Sequence, residues 1–296
     1  MSSTLESPSR AVESVDVPAG REARALVIAL AGNPNAGKTS IFNALTGLRQ
    51  KVANYPGVTV ERKEGVWTLA PDLPPASLID LPGLYSLDAA SIDEQIARDV
   101  LAGSMIDTSA PDVIIAVVDA TNLERNLYLV TQILEMGRPV VVALTMVDLA
   151  ERAELVINVE KMSESLGVRV VPVTAKHSRG LDDLARAVLE AVGTEGPGAQ
   201  WRLSSQAEEE VMRLTSEAWP RRAEAMRDLY ADELPMDALR RETVGLARER
   251  LARSNPQWWQ EPVTARYRWI ESVAGGATPG GRDERPSATE KIDRLV

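Results

Sequence analysis

One octapeptide, Gly32-Asn33-Pro34-Asn35-Ala36-Gly37-Lys38-Thr39, matches the phosphate-binding pattern Gly-x-x-x-x-Gly-Lys-[Ser/Thr] at every fixed position. The apolar run at 25–31 that precedes it is typical of a strand buried on both faces of a parallel sheet. After the octapeptide, apolar residues recur at helical spacing until Gly47. The motif therefore lies between a strand and a helix, the context that phosphate binding requires. A chance glycine turn before a helix is the minor alternative.

The residue types of this loop predict their roles. Its glycines let successive N–H groups point at a β-phosphate, and the helix N-terminus adds partial positive charge. We expect Lys38 to reach the β- and γ-phosphate oxygens and the Thr39 hydroxyl to bind Mg²⁺. The nucleotide-binding residues predicted here are Asn33, Pro34, Asn35, Ala36, Gly37, Lys38, Thr39 and Ser40.

The composition excludes several kinds of site. The 296 residues include no cysteine and one histidine, His177, which argues against disulfides, iron–sulfur clusters and metal sites built on thiolates or imidazoles. The longest apolar runs, 113–118 and 140–144, are far shorter than the ~20 residues that span a bilayer. Residues 1–20 lack the apolar centre of a secretory signal. The chain as given is therefore expected to be soluble and cytoplasmic.

The charge distribution argues against a nucleic-acid partner. The net charge is −10, and residues 1–195 carry 17 basic and 26 acidic side chains. Nucleic-acid binding depends on neutralising phosphates with Lys and Arg.

The order of the predicted elements indicates the fold class. Apolar strands alternate with helices of 10 to 15 residues, which is typical of a doubly wound, mostly parallel α/β sheet. The strands are expected at 76–79, 113–119, 140–146 and 168–173, and the helices at 91–101, 123–135, 156–166 and 181–192. Ser91 and Glu94 predict a capping box. Residues 58–67 are interpreted as a strand, a turn-like middle and a returning strand, after a polar loop at 48–57 that is a candidate switch.

The chain divides at Gly193–Gly198, beyond which strand patterns vanish. The predicted organisation is a disordered tail at 1–23, a nucleotide-binding α/β domain at 24–195, a small all-α domain of three or four helices at 196–276, and a flexible segment at 277–296. The aromatic residues Trp258, Trp259, Tyr267 and Trp269 are expected to serve in packing rather than in a ligand site.

Four further segments favour guanine nucleotides. Thr59 follows the polar loop and is expected to bind Mg²⁺ and the γ-phosphate. Asp80 supplies a carboxylate for Mg²⁺, and the Gly83 N–H faces the γ-phosphate. Two segments that follow later strands are predicted to hold the base, with Asp148 accepting from the ring N–H and the exocyclic amine of guanine. These base-binding residues are Thr145, Met146, Asp148, Thr174, Ala175 and Lys176.

The chain resembles the cytosolic region of the FeoB family of bacterial ferrous iron transporters. The resemblance is carried by the octapeptide together with the segments 54–61, 80–87 and 118–129, the last of which general GTPases lack, and it runs from about Ala25 to Ile270. It implies a GTPase domain and a GDI-like helical domain that favours GDP binding. It also implies that residues 277–296 lead into a membrane-spanning iron-permeation domain, which places the region at the cytoplasmic face of the bacterial inner membrane. Small cytosolic accessory proteins and a second copy of the chain are further candidate partners.

The family comparison assigns catalytic roles to Asn35, Lys38, Thr59 and Gly83. Asn35 matches the asparagine with which K⁺-activated relatives hold a potassium ion against the phosphates. Leu84 replaces the glutamine that orients water in Ras-like enzymes, which predicts slow hydrolysis. Thr145 stands where the family has asparagine. The expected ligands and cofactors are GTP or GDP, Mg²⁺ and K⁺.

Two alternatives to a transporter GTPase remain open at this point. One is a ribosome-assembly GTPase, which would share Asn35. The other is a nucleotide-sensing module with negligible turnover, which Thr145 and Leu84 permit.

Overall fold

The computed structural model describes residues 25–55, 58–88, 91–105, 108–217, 219, 222–231 and 233–278. Seven strands form one sheet in the order β2-β3-β4-β1-β5-β6-β7. The strands are β1 (Val27–Gly32), β2 (Gln50–Asn54), β3 (Glu61–Trp67), β4 (Ala76–Asp80), β5 (Val113–Asp119), β6 (Val140–Thr145) and β7 (Val170–Pro172). The pairs β4·β1, β1·β5, β5·β6 and β6·β7 are parallel, whereas β3 is antiparallel to both β2 and β4. This confirms the mostly parallel α/β fold.

The helices are α1 (Lys38–Thr46), α2 (Ile92–Ala102), α3 (Leu123–Glu135), α4 (Val147–Arg152), α5 (Val159–Leu166), α6 (Leu181–Ala191), α7 (Ser205–Glu217), α8 (Arg222–Tyr230), α9 (Ala238–Ser254) and α10 (Glu261–Ala277). Successive residues of the central strands alternate between the two faces of the sheet. They contribute to two apolar cores, one on each face. The Ser91 side chain caps α2 by accepting from the Glu94 N–H at 3.2 Å. The Glu94 carboxylate accepts from the Ser86 hydroxyl at 2.9 Å.

The hairpin predicted within residues 58–67 is wrong. Residues 61–67 form one continuous strand, and its antiparallel partner is the segment 50–54, which had been expected to be part of a polar loop. Gly65 explains the error, because a Cβ there would lie 2.4 Å from the Thr46 Cγ2 atom. This glycine lets the end of α1 approach the strand closely and does not make a turn.

Two helix predictions also need correction. The short helix α4 follows β6 directly and was not expected. Helix α10 continues through Gly275 and Gly276 to Ala277, one residue into the segment that had been expected to be flexible from position 277. Ala277 is buried, and its carbonyl accepts from the Asn158 N–H at 2.7 Å, so tertiary contacts hold this last turn helical.

The carboxy-terminal helices pack around a third apolar core that contains Trp201, Trp219 and Val244. Helix α10 packs against both α3 and α5 of the sheet region. Of the aromatic residues expected in packing, Trp258 and Trp269 contact this core and Tyr267 lies against Tyr128, whereas Trp259 is 57 % exposed. No helix within the described ranges is long and apolar enough to cross a membrane. The predictions for residues 1–23 and 279–296 lie outside the described residues.

Candidate functional site

The phosphate loop connects β1 to α1 at the carboxyl edge of the sheet. Asn35 and Gly37 adopt left-handed backbone conformations with φ of 65° and 86°. A Cβ at Gly32 would lie 2.8 Å from the Val117 carbonyl oxygen, so this position requires glycine. Gly37 is the N-cap of α1 and gives the helix no side-chain cap. The first N–H groups of α1 are therefore directed toward any anion held by the loop.

Lys38 and Asp80 form an ion pair at the centre of the site. Both side chains are largely buried, with 10 % and 4 % exposed, respectively. Lys38 begins α1 and Asp80 ends β4, and β4 pairs with β1 in parallel, so the sheet brings the two charges to the same edge. A bound phosphate would offer Lys38 a competing anion, and a divalent cation would compete for Asp80.

The segment after Asp80 packs directly on the phosphate loop. A Cβ at Gly83 would lie 3.2 Å from the Cα and Cγ atoms of Pro34, so only glycine fits without displacement. The Leu84 N–H donates to the Gly32 carbonyl at 3.2 Å, and the Leu84 side chain is buried in the core. The side chain that follows Gly83 is therefore an apolar part of the core.

Thr145 joins the end of β6 to the phosphate loop. Its buried hydroxyl lies 2.7 Å from the Ala36 carbonyl oxygen and 3.0 Å from the Val118 carbonyl oxygen. Met146 is left-handed with φ of 55°, and its Cε atom would lie 3.6 Å from a Cβ at Gly37. Asp148 lies in the first turn of α4 and is partly exposed.

The last predicted segment is a tight turn after β7. The Thr174 N–H donates to the Arg179 carbonyl at 3.0 Å, and the Arg179 N–H donates back to Thr174 at 3.2 Å. Residues Ala175–His177 form a 3-10 turn that packs against α1, with Lys176 exposed. The structure thus gathers the phosphate loop, Asp80–Gly83, Thr145–Asp148 and Thr174–Lys176 at one edge of the sheet.

One predicted site residue, Thr59, lies apart from the other predicted site residues. It is exposed between β2 and β3, and among the described residues no hydrogen bond joins it to the phosphate loop or to Asp80. Thr39, Ser40 and Asn35 are also exposed, but they belong to the loop or to the first turn of α1. Within the same described ranges, no three His, Cys, Asp or Glu side chains cluster as a metal site.

Tyr55 anchors the segment that leads to Thr59. Its side chain is 1 % exposed, and its backbone N–H donates to the Val60 carbonyl at 3.0 Å. Burial raises the pKa of the Tyr55 hydroxyl to about 12, although the nearby Arg62 acts in the opposite direction. This phenol is therefore neutral at physiological pH, and the segment is held by the burial of Tyr55 together with its backbone hydrogen bond to Val60.

Helix α3 contacts the segment after Gly83, and these contacts were not predicted from the sequence. The Arg125 guanidinium lies 4.4 Å from the centre of the Tyr85 ring, and the Arg125 carbonyl accepts from the Asn33 side chain at 3.3 Å. Gln132 accepts from the Leu87 N–H at 2.7 Å and donates to Asp88 at 2.8 Å. The feature of the sequence that could have indicated this role is the segment 118–129, which resembles the FeoB family and contains Arg125.

Comparison with known sequences identifies the relatives of this chain. A family model described as ferrous iron transport protein B matches residues 26–188. The Fe(2+) transporter FeoB of Salmonella typhimurium is 49 % identical over 168 residues, covering 55 % of this chain and 21 % of the relative. The Escherichia coli K12 protein of the same name is 48 % identical over 168 residues, with the same two coverages. The chain therefore spans about a fifth of the length of these relatives.

Solved structures resemble the chain over most of its length. The N11A mutant of S. thermophilus NFeoB bound to mGDP aligns with a TM-score of 0.76 and 33 % identity, covering 86 % of this chain and all of the other. The cytosolic domain of L. pneumophila FeoB gives a TM-score of 0.69 at 34 % identity, covering 85 % of this chain and 98 % of the other. The cytosolic domain of T. maritima FeoB in its GMPPNP form gives 0.69 at 32 %, with the same coverages. The chain therefore belongs to the ferrous iron transport protein B (FeoB) family and carries that family's P-loop GTPase domain.

Proposed function

We propose that this chain is the GTP-binding, slowly GTP-hydrolysing regulatory region of a bacterial ferrous iron transporter. The observation that carries the proposal is the convergence of the phosphate loop, Asp80–Gly83 and Thr145–Asp148 at one edge of the sheet. In the proposed organisation, residues 24–195 bind the nucleotide and residues 196–276 form the helical domain. The relatives' remaining length would supply an iron-permeation domain in the inner membrane, with this region on its cytoplasmic face.

The arrangement fits a magnesium ion held together with the nucleotide. Asp80 supplies one carboxylate beside the first turn of α1, where the Thr39 hydroxyl is exposed. Mg²⁺ prefers such hard oxygen ligands and takes most of its shell from water and phosphate, so one carboxylate and one hydroxyl suffice. The ion would neutralise charge between the β- and γ-phosphates. Thr59 would have to move from its exposed position to join this shell.

Two features support slow intrinsic hydrolysis that depends on K⁺. Leu84 has no polar group to orient water, and its side chain is buried. Asn35 is exposed in the phosphate loop, where its amide oxygen is available as a K⁺ ligand. A monovalent cation at this position would replace an arginine finger.

The Asn35→Ala variant tests the potassium proposal. We expect GDP affinity to change little and single-turnover GTP hydrolysis in K⁺ to fall by about 10²-fold, because one preorganised electrostatic group is worth about that much. Rates are measured in K⁺ and in Na⁺ for both proteins, and the variant should show no preference between the salts. Equal wild-type rates in the two salts would refute K⁺ activation.

The Asp148→Asn variant tests the assignment of the base. The carboxylate accepts two hydrogen bonds from guanine, so we expect GDP affinity to fall by about 10- to 100-fold, in line with about 1.5–3 kcal/mol for hydrogen bonds to a charged group. Xanthosine diphosphate should gain affinity, because the new amide can donate to its extra carbonyl. Calorimetry with both nucleotides is the measurement, and Asp182→Asn, at an exposed helix start, is the control. Unchanged GDP binding would exclude Asp148 from the base site.

A specific observation favours a role for the helical domain in nucleotide binding. Helix α3 contacts the segment after Gly83 through Arg125 and Gln132, and it packs against α10. These contacts support the proposal that the helical domain favours the GDP-bound state through α3. RNA-stimulated hydrolysis would instead support the ribosome-assembly alternative, and the absence of turnover in either salt would support the nucleotide-sensing alternative.

A further inference from the structure

The Thr145 hydroxyl is committed to contacts within the protein. It lies 2.7 Å from the Ala36 carbonyl oxygen and 3.0 Å from the Val118 carbonyl oxygen. A carbonyl oxygen only accepts hydrogen bonds, and a hydroxyl has a single proton to donate. The two carbonyls therefore share or compete for that one proton.

The surroundings of Thr145 hold it in this arrangement. The residue is 5 % exposed, and the two acceptor residues, Ala36 and Val118, are 1 % and 0 % exposed. A Cβ at Gly37 would lie 3.5 Å from the Thr145 Cβ and Cγ2 atoms, so the Thr145 methyl group packs against the phosphate loop. Turning the hydroxyl proton elsewhere would leave buried carbonyls without this donor, which is unfavourable.

Guanine N7 carries no proton and can only accept a hydrogen bond. An asparagine amide has two N–H donors, so it can serve a loop carbonyl and N7 at the same time. Threonine at this position has no second donor. From this shortage of donors, and resting on the proposed nucleotide binding, we propose that Thr145 connects the end of β6 to the phosphate loop but makes no hydrogen bond to guanine N7.

The consequence is a relaxed specificity at one edge of the base. The chain accepts guanine nucleotides in which N7 is replaced by a C–H group, the 7-deazaguanine nucleotides, about as well as GDP. This replacement keeps the size of the ring and the edge that Asp148 recognises. Discrimination against adenine therefore remains.

Competitive displacement of a fluorescent GDP analogue by GDP and by 7-deaza-GDP tests the proposal. For the wild-type chain we expect the two affinities to agree within about twofold. Thr145→Asn supplies the second donor and should bind GDP severalfold more tightly than 7-deaza-GDP. Thr145→Val keeps the shape and removes the proton, so it should weaken both nucleotides equally. ADP serves as the control for base selectivity.

The outcomes separate this proposal from the proposed function. If wild type binds neither guanine nucleotide, nucleotide binding itself fails. If wild type binds GDP at least fivefold more tightly than 7-deaza-GDP, N7 is recognised and the relaxed specificity is overturned. Loss of that preference in Thr145→Val would show that Thr145 itself contacts N7 and would overturn the assignment of position 145. A preference for GDP that persists in Thr145→Val would show that another group reads N7. The wild-type comparison needs no variant, so it stands even if Thr145→Asn fails to fold.

Discussion

Replacing Lys38 with methionine is expected to weaken GDP binding by at least about 100-fold, because the ammonium is the main charge facing the phosphates, and hydrogen bonds to charged groups are worth about 1.5–3 kcal/mol each. Methionine keeps most of the aliphatic stem, so the packing of the first turn of α1 changes little. Displacement of a fluorescent GDP analogue measures the affinity. A variant that binds GDP within threefold of wild type would contradict the phosphate-loop assignment.

The ion pair with Asp80 makes a second measurement necessary. Asp80 is 5 % exposed, and removal of Lys38 leaves its carboxylate without this cation. The nucleotide-free protein should therefore also lose stability. Thermal unfolding with and without GDP separates the effects, since wild type should be stabilised by GDP and Lys38→Met should not. Lys161→Met, at an exposed position in the first turn of α5, is the matched control and should respond like wild type.

The phosphate-binding and Asp80–Gly83 segments could be predicted because their chemistry is local. The glycine spacing, the lysine and the following hydroxyl lie within eight residues, and the strand and helix on either side have clear periods. The parallel strands then bring Asp80 beside Lys38, as the sheet order implies. The placement of Thr59 could not be predicted, because it depends on where residues 50–54 pair.

The remaining errors come from long-range contacts that override local pattern. The segment Gln50–Asn54 is polar and entirely exposed, yet it pairs as an edge strand with β3. Gly275 and Gly276 are poor helix formers, yet α10 continues because its last turn packs on α5. The Thr145 hydroxyl illustrates the same limit, since its partner Ala36 is 109 positions away.

The interface between α3 and α10 is another arrangement that the sequence does not reveal. Arg266 is 8 % exposed, and its guanidinium donates to both carboxylate oxygens of Glu135 at 2.8 and 3.0 Å. The Trp201 indole N–H donates to the same carboxylate at 2.5 Å. Burial lowers the pKa of Arg266, but Glu135 and Tyr128 outweigh that effect and the net shift is upward. Arg266 therefore remains charged inside the interface.

The guanidinium is also enclosed by aromatic rings. It lies 4.9 Å from the centre of the Trp201 ring and 5.3 Å from that of Tyr128. Such contacts are worth up to about 2 kcal/mol when the cation is desolvated. Arg266 thus joins the helical domain, the segment at Trp201 and the helix that holds the residues after Gly83.

We expect Arg266→Ala to lower the free energy of unfolding by about 3 kcal/mol, the lower end of the cost of breaking a buried ion pair, because Glu135 keeps 24 % of its side chain exposed. Arg266→Lys should recover only part of the loss, since an ammonium cannot donate in the same forked geometry. The matched control is Arg253→Ala, which breaks an exposed pair with Glu249 at 3.5 Å and should cost at most about 0.5 kcal/mol. Urea denaturation of the three variants gives the comparison. Equal losses for Arg266→Ala and Arg253→Ala would show that the buried cation does not hold the interface together.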